Sequence, residues 1–345
     1  PPTARVPPPI LAYHQRGQRI STSRRQNTMD AHILEQHEIF ELLPTHGKVV
    51  TLDADLPMKH ALAALASHGA TCLPVWDSAL QRFVDVFSCT DLVDIVLFAH
   101  RALAGAGAPP AAGAAAGDAQ TALERCHLRD LHGLKRPRPA GFLMASVDDS
   151  MLHGALMLKQ HALECLPIGD SACSSSLLHL LLPEQLLAFL ATLPELRTSH
   201  GPLLEEPVGK ALLPLCRQPQ TVRRDASLLE ALGLLSAERL HALPVLDASG
   251  ALFDVLSSRD VRQLASNPAT DLAIPLEEAL RSLPPKDSRV QTCAVSDTVA
   301  TAITRLADPE AAQLVCLNDA GAVCAVVTAS AVLAALLPSS PPHHG

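Results

Sequence analysis

The chain has 345 residues, of which 48% are hydrophobic, 18% are charged and only 3% are aromatic, and its formal net charge is −8. A length above that of one typical domain, with a mainly aliphatic composition, predicts more than one helix-rich globular unit. Because the net charge is negative and no dense stretch of Lys and Arg interleaved with aromatic residues occurs, nucleic acid is excluded as an expected partner.

The nine cysteines and sixteen histidines show no pattern that is typical of a catalytic or metal site. No CxxC pair occurs, and several cysteines lie within apolar runs, which is typical of buried free thiols in a reducing compartment. The GxSxG, HExxH and P-loop motifs are also missing. The sequence therefore predicts a binding protein that requires no cofactor or metal, and an enzyme is the least supported hypothesis.

Three segments are predicted to lie outside the folded units. Residues 1–28 and 338–345 are predicted to be disordered ends, and residues 101–123, rich in Ala, Gly and Pro, are predicted to form a linker. The expected location is the cytoplasm or the nucleus, although the Arg-rich, acid-free start leaves an organelle transit peptide open. The most apolar stretch, 322–337, is shorter than the ~20 residues that a membrane helix needs, so no membrane span is predicted.

A short apolar phrase, here called the anchor phrase, recurs four times. It reads Leu-Pro-Val-Trp-Asp at 73–77, Leu-Pro-Ile-Gly-Asp at 166–170 and Leu-Pro-Val-Leu-Asp at 243–247, with a degenerate copy, Leu-Val-Cys-Leu-Asn, at 314–318. A small residue lies thirteen positions before the second residue of each copy and opens an apolar pattern of helical period. These small residues are Ala61, Gly154, Ala231 and Ala302. The equal offset indicates an internal repeat.

Each repeat is predicted to contain a strand, a helix, two strands and a second helix, in that order. In the third copy, Leu228, Ala231, Leu232 and Leu235 recur at helical spacing before the anchor phrase, and an apolar strand over 252–256 follows it. This order buries a sheet against helices and predicts an α/β fold. The repeats, here called modules 1 to 4, are predicted to span residues 38–100, 124–192, 205–267 and 285–337.

The repeated unit resembles the cystathionine-beta-synthase (CBS) module, whose last helix opens with Ser/Thr-x-x-Asp. This signature reads Ser-Cys-Thr-Asp at 88–91 in module 1 and Ser-Ser-Arg-Asp at 257–260 in module 3. The resemblance implies that module 1 pairs with module 2 and module 3 with module 4. Each pair would form a Bateman domain, and the two Bateman domains would form a pseudo-symmetric disc.

Longer phrases resemble the gamma regulatory subunit of AMP-activated protein kinase and its yeast relatives. They lie at 42–45, 74–78 and 90–95 in module 1, in the order of that subunit's first module, and at 242–245 and 253–255 in module 3. The resemblance implies a non-catalytic regulatory subunit that joins a catalytic alpha and a scaffolding beta kinase subunit in a heterotrimer. It also implies AMP, ADP or ATP as ligand.

The carboxylates of the two signatures suit recognition of a nucleoside. At the start of a helix, Asp91 and Asp260 favour the positive end of the helix dipole and can accept hydrogen bonds from ribose hydroxyl groups. Helix capping with Ser88 and Ser257 explains the same residues without a ligand, and both interpretations stay open. The complete set of candidate ligand-binding residues is Ser88, Thr90, Asp91, Lys210, Arg239, His241, Ser257 and Asp260.

The charges that bind phosphate in this family are largely replaced. The resemblance implies basic residues just before the anchor phrases of modules 1, 2 and 4. The residues at these positions are Thr71, Glu164, Cys165, Ala312 and Gln313. At the signature position the resemblance implies a basic residue in module 2 and an aspartate in module 4, and this sequence has Gln185 and Ala331 there. A charge-assisted hydrogen bond contributes about 1.5–3 kcal/mol, so losing two is expected to weaken binding by roughly 10²–10⁴-fold.

Two other functions fit the sequence. A stand-alone CBS protein would bind an adenosyl ligand and regulate another enzyme or a transporter, and a scaffold would bind no ligand. Co-purification with kinase alpha and beta subunits tests the kinase-subunit hypothesis, and a thermal-shift series with adenine ligands tests the stand-alone CBS protein. A negative result in both leaves the scaffold.

Overall fold

The computed structural model describes residues 31–45, 47–103, 125–130, 142–265, 271–308, 311 and 313–337. Within these residues the chain is an α/β protein with four three-stranded sheets, which confirms the predicted fold class. The predicted disordered ends lie outside the described residues, and so does most of the predicted linker, since the helix before it continues to Leu103. Across these ranges, no helix combines the length and the apolar character that a membrane crossing requires.

All four sheets share one topology. The first strand runs parallel to the middle strand, and the third strand runs antiparallel to it. The strands of modules 1 and 2 are β1 (Leu52–Asp53), β2 (Cys72–Asp77), β3 (Arg82–Ser88), β4 (Ala145–Ser146), β5 (Leu166–Asp170) and β6 (Cys173–Leu181). Those of modules 3 and 4 are β7 (Val222–Arg223), β8 (Ala242–Leu246), β9 (Leu252–Ser257), β10 (Gln291–Ala294), β11 (Gln313–Leu317) and β12 (Val323–Thr328). The anchor phrase supplies every middle strand, so the predicted four-fold repeat is confirmed.

A proline sits in three of the middle strands, although such strands normally need every N–H group. In module 1, Trp76 O faces the first strand and accepts a hydrogen bond from Ala54 N at 2.7 Å. Pro74 lies two residues earlier and therefore faces the same side. Because β1 begins opposite Val75, one position beyond Pro74, the missing N–H group of the proline costs the sheet no hydrogen bond.

Module 4 shows what happens when the proline is replaced. There the anchor phrase has Val315, and β10 is four residues long, whereas β1, β4 and β7 have two residues each. The two additional pairs join Gln291 with Leu314 and Thr292 with Val315. The residue at the second anchor position therefore sets the length of the first strand.

Two helices flank each sheet, one between the first and middle strands and one after the third strand. In chain order, the helices of the described residues are α1 (Ala31–Glu35), α2 (Met58–Ser67), α3 (Cys89–Leu103), α4 (Met151–Gln160), α5 (Pro183–Thr192), α6 (Pro194–Leu204), α7 (Val208–Ala211), α8 (Leu228–Glu238), α9 (Ser258–Ala265), α10 (Leu276–Arg281), α11 (Lys286–Arg289), α12 (Val299–Leu306) and α13 (Ala329–Leu336). The predicted apolar face of α8 is buried at Leu228, Ala231, Leu232 and Leu235.

The small residue before each anchor phrase lies where the first helix of the module packs closely on its surroundings. Ala61, Ala231 and Ala302 are completely buried. At Gly154, an added Cβ atom would lie 3.1 Å from Ile39 Cδ1, which is tighter than an ordinary contact. The shared offset in the sequence therefore reflects a packing constraint.

The lead-in segment of a module, meaning the residues just before its first strand, crosses to the paired module. In the lead-in of module 1, His37 O accepts a hydrogen bond of 2.8 Å from Met151 N at the start of α4 in module 2. In the lead-in of module 2, Cys126 O accepts one of 2.8 Å from Met58 N at the start of α2. The exchange joins modules 1 and 2 as a pair.

Modules 3 and 4 make the same exchange. Glu206 O, in the lead-in of module 3, accepts a hydrogen bond of 3.0 Å from Val299 N at the start of α12. Ile274 O, in the lead-in of module 4, accepts one of 3.0 Å from Leu228 N at the start of α8. The predicted pairing of module 1 with 2 and of module 3 with 4 is therefore confirmed.

Two large apolar cores connect modules that do not exchange lead-ins. One joins helices of modules 1 and 3 and includes Leu92, Ile95 and Leu232. The other joins helices of modules 2 and 4 and includes Leu187 and Ile303. Smaller clusters lie between the sheets of modules 1 and 2 and between those of modules 3 and 4. The contacts close a ring in the order 1, 2, 4, 3, which the sequence did not predict.

We expect Gly154→Leu to lower the free energy of unfolding by about 1–3 kcal/mol, because the new side chain would displace Ile39 in a packed core. Gly233→Leu is the matched control. Gly233 lies in α8 with no atom within 4 Å of an added Cβ, so this change should be neutral or slightly stabilising. Denaturant unfolding measures both variants, and equal stabilities would contradict the packing constraint.

Candidate functional site

The helices after the third strands of modules 1 and 3 begin with reciprocal caps. Asp91 Oδ2 accepts hydrogen bonds from Ser88 N at 2.9 Å and Ser88 Oγ at 3.1 Å, and Asp91 N donates back to Ser88 Oγ at 3.3 Å. Asp260 makes the same set with Ser257, at 2.8, 2.7 and 3.2 Å. All four residues therefore cap helices, and capping satisfies backbone groups that the helix leaves unpaired.

Modules 2 and 4 begin the corresponding helices without an aspartate. Gln185 Oε1 accepts a hydrogen bond from Leu182 N at 2.9 Å, and Thr328 Oγ1 accepts one from Ala331 N at 3.3 Å. A neutral amide or hydroxyl group is therefore sufficient to start these helices. The negative charges of Asp91 and Asp260 are not required for capping alone.

The larger of two cavities at the meeting point of the modules has a volume of about 810 Å³, which is within the range of small-molecule sites. Its wall includes Thr71 from module 1, Gln185 from module 2 and Gln313 from module 4. Module 3 contributes Ser257 and Asp260, both of them candidate residues. The structure thus brings one of the two signatures to a cavity that all four modules share.

The smaller cavity, of about 300 Å³, receives Thr90 and His241. Thr90 is 9% exposed, and its Oγ1 atom has no hydrogen-bond partner among the described residues. A buried hydroxyl group of this kind is suited to a polar ligand, since an unsatisfied buried group is costly. Lys159 and Glu164 also line this cavity.

The candidate residues Lys210 and Arg239 line neither of these two cavities. Lys210 Nζ forms an exposed ion pair with Glu206, in the segment that packs on module 4. Arg239 ends α8 in the left-handed conformation, with φ 51° and ψ 51°, and is exposed. The structure therefore separates these two cations from Ser257 and Asp260.

Three arginines that the sequence analysis did not select line the larger cavity. Arg259 Nη2 donates to Glu184 Oε1 and joins module 3 to module 2. Arg262 Nη1 donates to Ala70 O at 2.9 Å and joins module 3 to module 1. Arg289 pairs with Asp260. Arg259 lies inside the module 3 signature and was open to selection, whereas no motif marks the other two.

Three of the five positions where the resemblance implied basic residues face the cavities, and Cys165 lines neither cavity. Thr71 and Gln313 line both of them, and Glu164 lines the smaller one, while Ala312 lies outside the described residues. A phosphate group near these side chains would meet no cation at these positions. In the described part of the chain, no group of three or more His, Cys, Asp and Glu residues is placed to hold a metal ion.

The model of the CBS domain family matches this chain twice, at residues 39–97 and 213–267. The chain contains CBS domains. The matched segments lie in modules 1 and 3, and modules 2 and 4 repeat the same sheet topology.

Curated relatives extend the similarity across this CBS-domain chain. It is 26% identical over 312 residues to the 5'-AMP-activated protein kinase subunit gamma of Dictyostelium discoideum, covering 88% of this chain and 52% of the relative. It is 27% identical over 309 residues to the subunit gamma-3 of Homo sapiens, covering 88% of this chain and 60% of the relative. The chain thus spans between half and three fifths of these relatives' length.

A solved structure shares the fold. It is a protein of Methanocaldococcus jannaschii described as a proposed archaeal homolog of g-AMPK, with a TM-score of 0.65 and 13% sequence identity. The match covers 86% of this chain and 99% of that chain. The four-module arrangement is therefore found in a solved structure.

Removing the ion pair between the cavities should weaken the ring. We expect Glu184→Ala to lower the free energy of unfolding by about 1–3 kcal/mol, because the Arg259 side chain, only 26% exposed, would lose its charged partner. Lys210→Ala breaks an ion pair in which the lysine side chain is 71% exposed, and should cost about 0–1 kcal/mol. Chemical denaturation compares the two, and an equal loss would count against a structural role for the Arg259 pair.

Proposed function

We propose that this chain is a non-catalytic regulatory subunit of a kinase complex of the AMP-activated type, in the position of a gamma subunit. It would join a catalytic alpha and a scaffolding beta subunit in a heterotrimer. The observation that carries the proposal is the similarity to named gamma subunits over 88% of this chain. A stand-alone CBS protein is less well supported, because the named relatives are subunits of one kinase.

The closed ring of modules supports this proposal physically. A rigid assembly of four modules presents one continuous surface to partner subunits, and its apolar cores lie between modules. Burial of apolar area contributes about 25 cal/mol per Å² and tolerates exchange among Leu, Val and Ala. Assembly can therefore be retained in a sequence whose ligand-binding charges have changed.

We further propose that adenine nucleotides bind weakly to this chain. The central cavities are large enough for a nucleotide, but Thr71, Glu164 and Gln313 supply no cation where the family has one. The three arginines that line the larger cavity are already engaged, Arg259 with Glu184, Arg262 with Ala70 O and Arg289 with Asp260, so a phosphate group would have to compete with these partners. Regulation of the kinase by this subunit would therefore respond little to AMP.

Co-expression with kinase alpha and beta subunits tests the partner proposal. We expect a stable three-component peak in size-exclusion chromatography and less than a twofold change in kinase activity on titration with AMP. Loss of this chain from the peak would overturn the partner proposal. Strong activation by AMP that Asp260→Ala abolishes would instead overturn the proposal of weak nucleotide response.

A restored cation should tighten nucleotide binding. Thr71→Arg places a guanidinium group on the wall of both cavities, and one charge-assisted hydrogen bond to phosphate is worth roughly 10- to 150-fold in affinity. Thr45→Arg adds the same charge at an exposed position and serves as control. Calorimetry with AMP measures both variants, and an equal gain would indicate non-specific attraction.

A further inference from the structure

Arg289 lies in α11, in the lead-in of module 4, but its side chain reaches the sheet of module 3. Nη2 donates to both carboxylate oxygens of Asp254, at 2.8 and 3.0 Å, and Nη1 donates to Asp260 Oδ2 at 3.4 Å. The side chains of Arg289, Asp254 and Asp260 are 9%, 10% and 13% exposed. One buried cation therefore lies between two buried carboxylates.

The remaining donors of Arg289 are also engaged. Nε donates to Pro284 O at 2.9 Å, and Nη1 donates a second bond to Val255 O at 3.0 Å. Every guanidinium nitrogen thus has an acceptor, and the side chain is held from both ends of its planar group. A fixed, fully bonded arginine does not leave its position without losing five hydrogen bonds.

The guanidinium group also lies at the wall of the larger cavity, next to Asp260. Asp260 Oδ2 already accepts from Ser257 N and Oγ. A ligand hydroxyl group that approaches Asp260 must compete with Arg289 for the same carboxylate, whose negative charge the arginine offsets. The contact to Asp260 is a single charge-assisted bond, but the bidentate pair with Asp254 holds the guanidinium group beside it, so a neutral hydroxyl group cannot displace the arginine at equal cost.

Modules 1 and 3 carry the same spacing of acidic residues, since Asp85 precedes Asp91 as Asp254 precedes Asp260. Arg289, in contrast, has no arginine at the matching position of the other module pair. Arg289 lies four residues before Cys293. The counterpart of Cys293 in module 2 is Ala145, because each of them pairs with the residue after the second position of its anchor phrase. Four residues before Ala145 the sequence has Gly141, which carries no side chain. The position that matches Arg289 in the lead-in of module 2 therefore carries no cation.

We propose that Arg289 is an internal cation that occupies the ligand position of module 3 and closes Asp260 to the hydroxyl groups of a nucleoside. Module 3 then serves assembly, with its signature aspartate held in an ion pair to the lead-in of module 4. This proposal rests on the proposed function only in taking the central cavity as the ligand site.

The test uses adenosine, which carries the ribose hydroxyl groups without phosphate, and calorimetry on the isolated full chain. The double variant R289A/D254N opens the position and also removes the buried charge that would otherwise lose its partner. We expect it to bind adenosine at least about tenfold more tightly than the original chain. Adding D260N should abolish the gain, whereas adding D91N should leave it unchanged.

A double variant that keeps the thermal stability of the original chain but gains no adenosine binding would overturn the proposal. So would a gain that persists in the presence of D260N. If R289A/D254N does not fold, R289K decides the question. The three N–H donors of an ammonium group cannot replace the five hydrogen bonds that the planar guanidinium group makes, so a several-fold gain is expected. No kinase subunit is present in this experiment, so its outcome is independent of the heterotrimer test.

Discussion

The backbone N–H groups at the start of the first helix of each module depend on another module. An isolated helix leaves its first four N–H groups unpaired, and here the exchanged lead-in supplies an acceptor in all four modules, as Cys126 O does for Met58 N. A single module would leave these groups to solvent and would expose the apolar face of its helices. Pairing is therefore part of the folding of each module, and the pairs then bury the larger cores between them.

The ring that results places charged side chains of module 3 at the common centre. Glu184 and Arg259 connect modules 2 and 3, and Arg289 connects the lead-in of module 4 to Asp254 and Asp260. Buried ion pairs of this kind contribute little net stability but penalise arrangements in which one partner is left alone. The centre of this molecule thus uses ion pairs between modules to specify how they assemble.

The repeat was predictable from the sequence because its signals are local. The anchor phrase and the small residue thirteen positions earlier act within one module, and both occupy the predicted places in the structure. The role of Arg289 was not predictable, since 29 residues separate it from Asp260 and it belongs to no phrase. Lys210 and Arg239 are the opposite case, since they were selected from the sequence but line neither of the two central cavities. Proximity to a module in the sequence does not decide which way a side chain faces.

The proline of the anchor phrase has a consequence for the behaviour of the protein at high concentration. A first strand of two residues offers an incoming chain a very short open edge, and short edges resist the edge-to-edge association that leads to aggregation. Only module 4, with valine in place of proline, has a first strand of four residues among those described. The residue that makes the repeat recognisable therefore also shortens the first-strand edge of three of the four sheets, and among the first strands β10 offers another chain the longest edge.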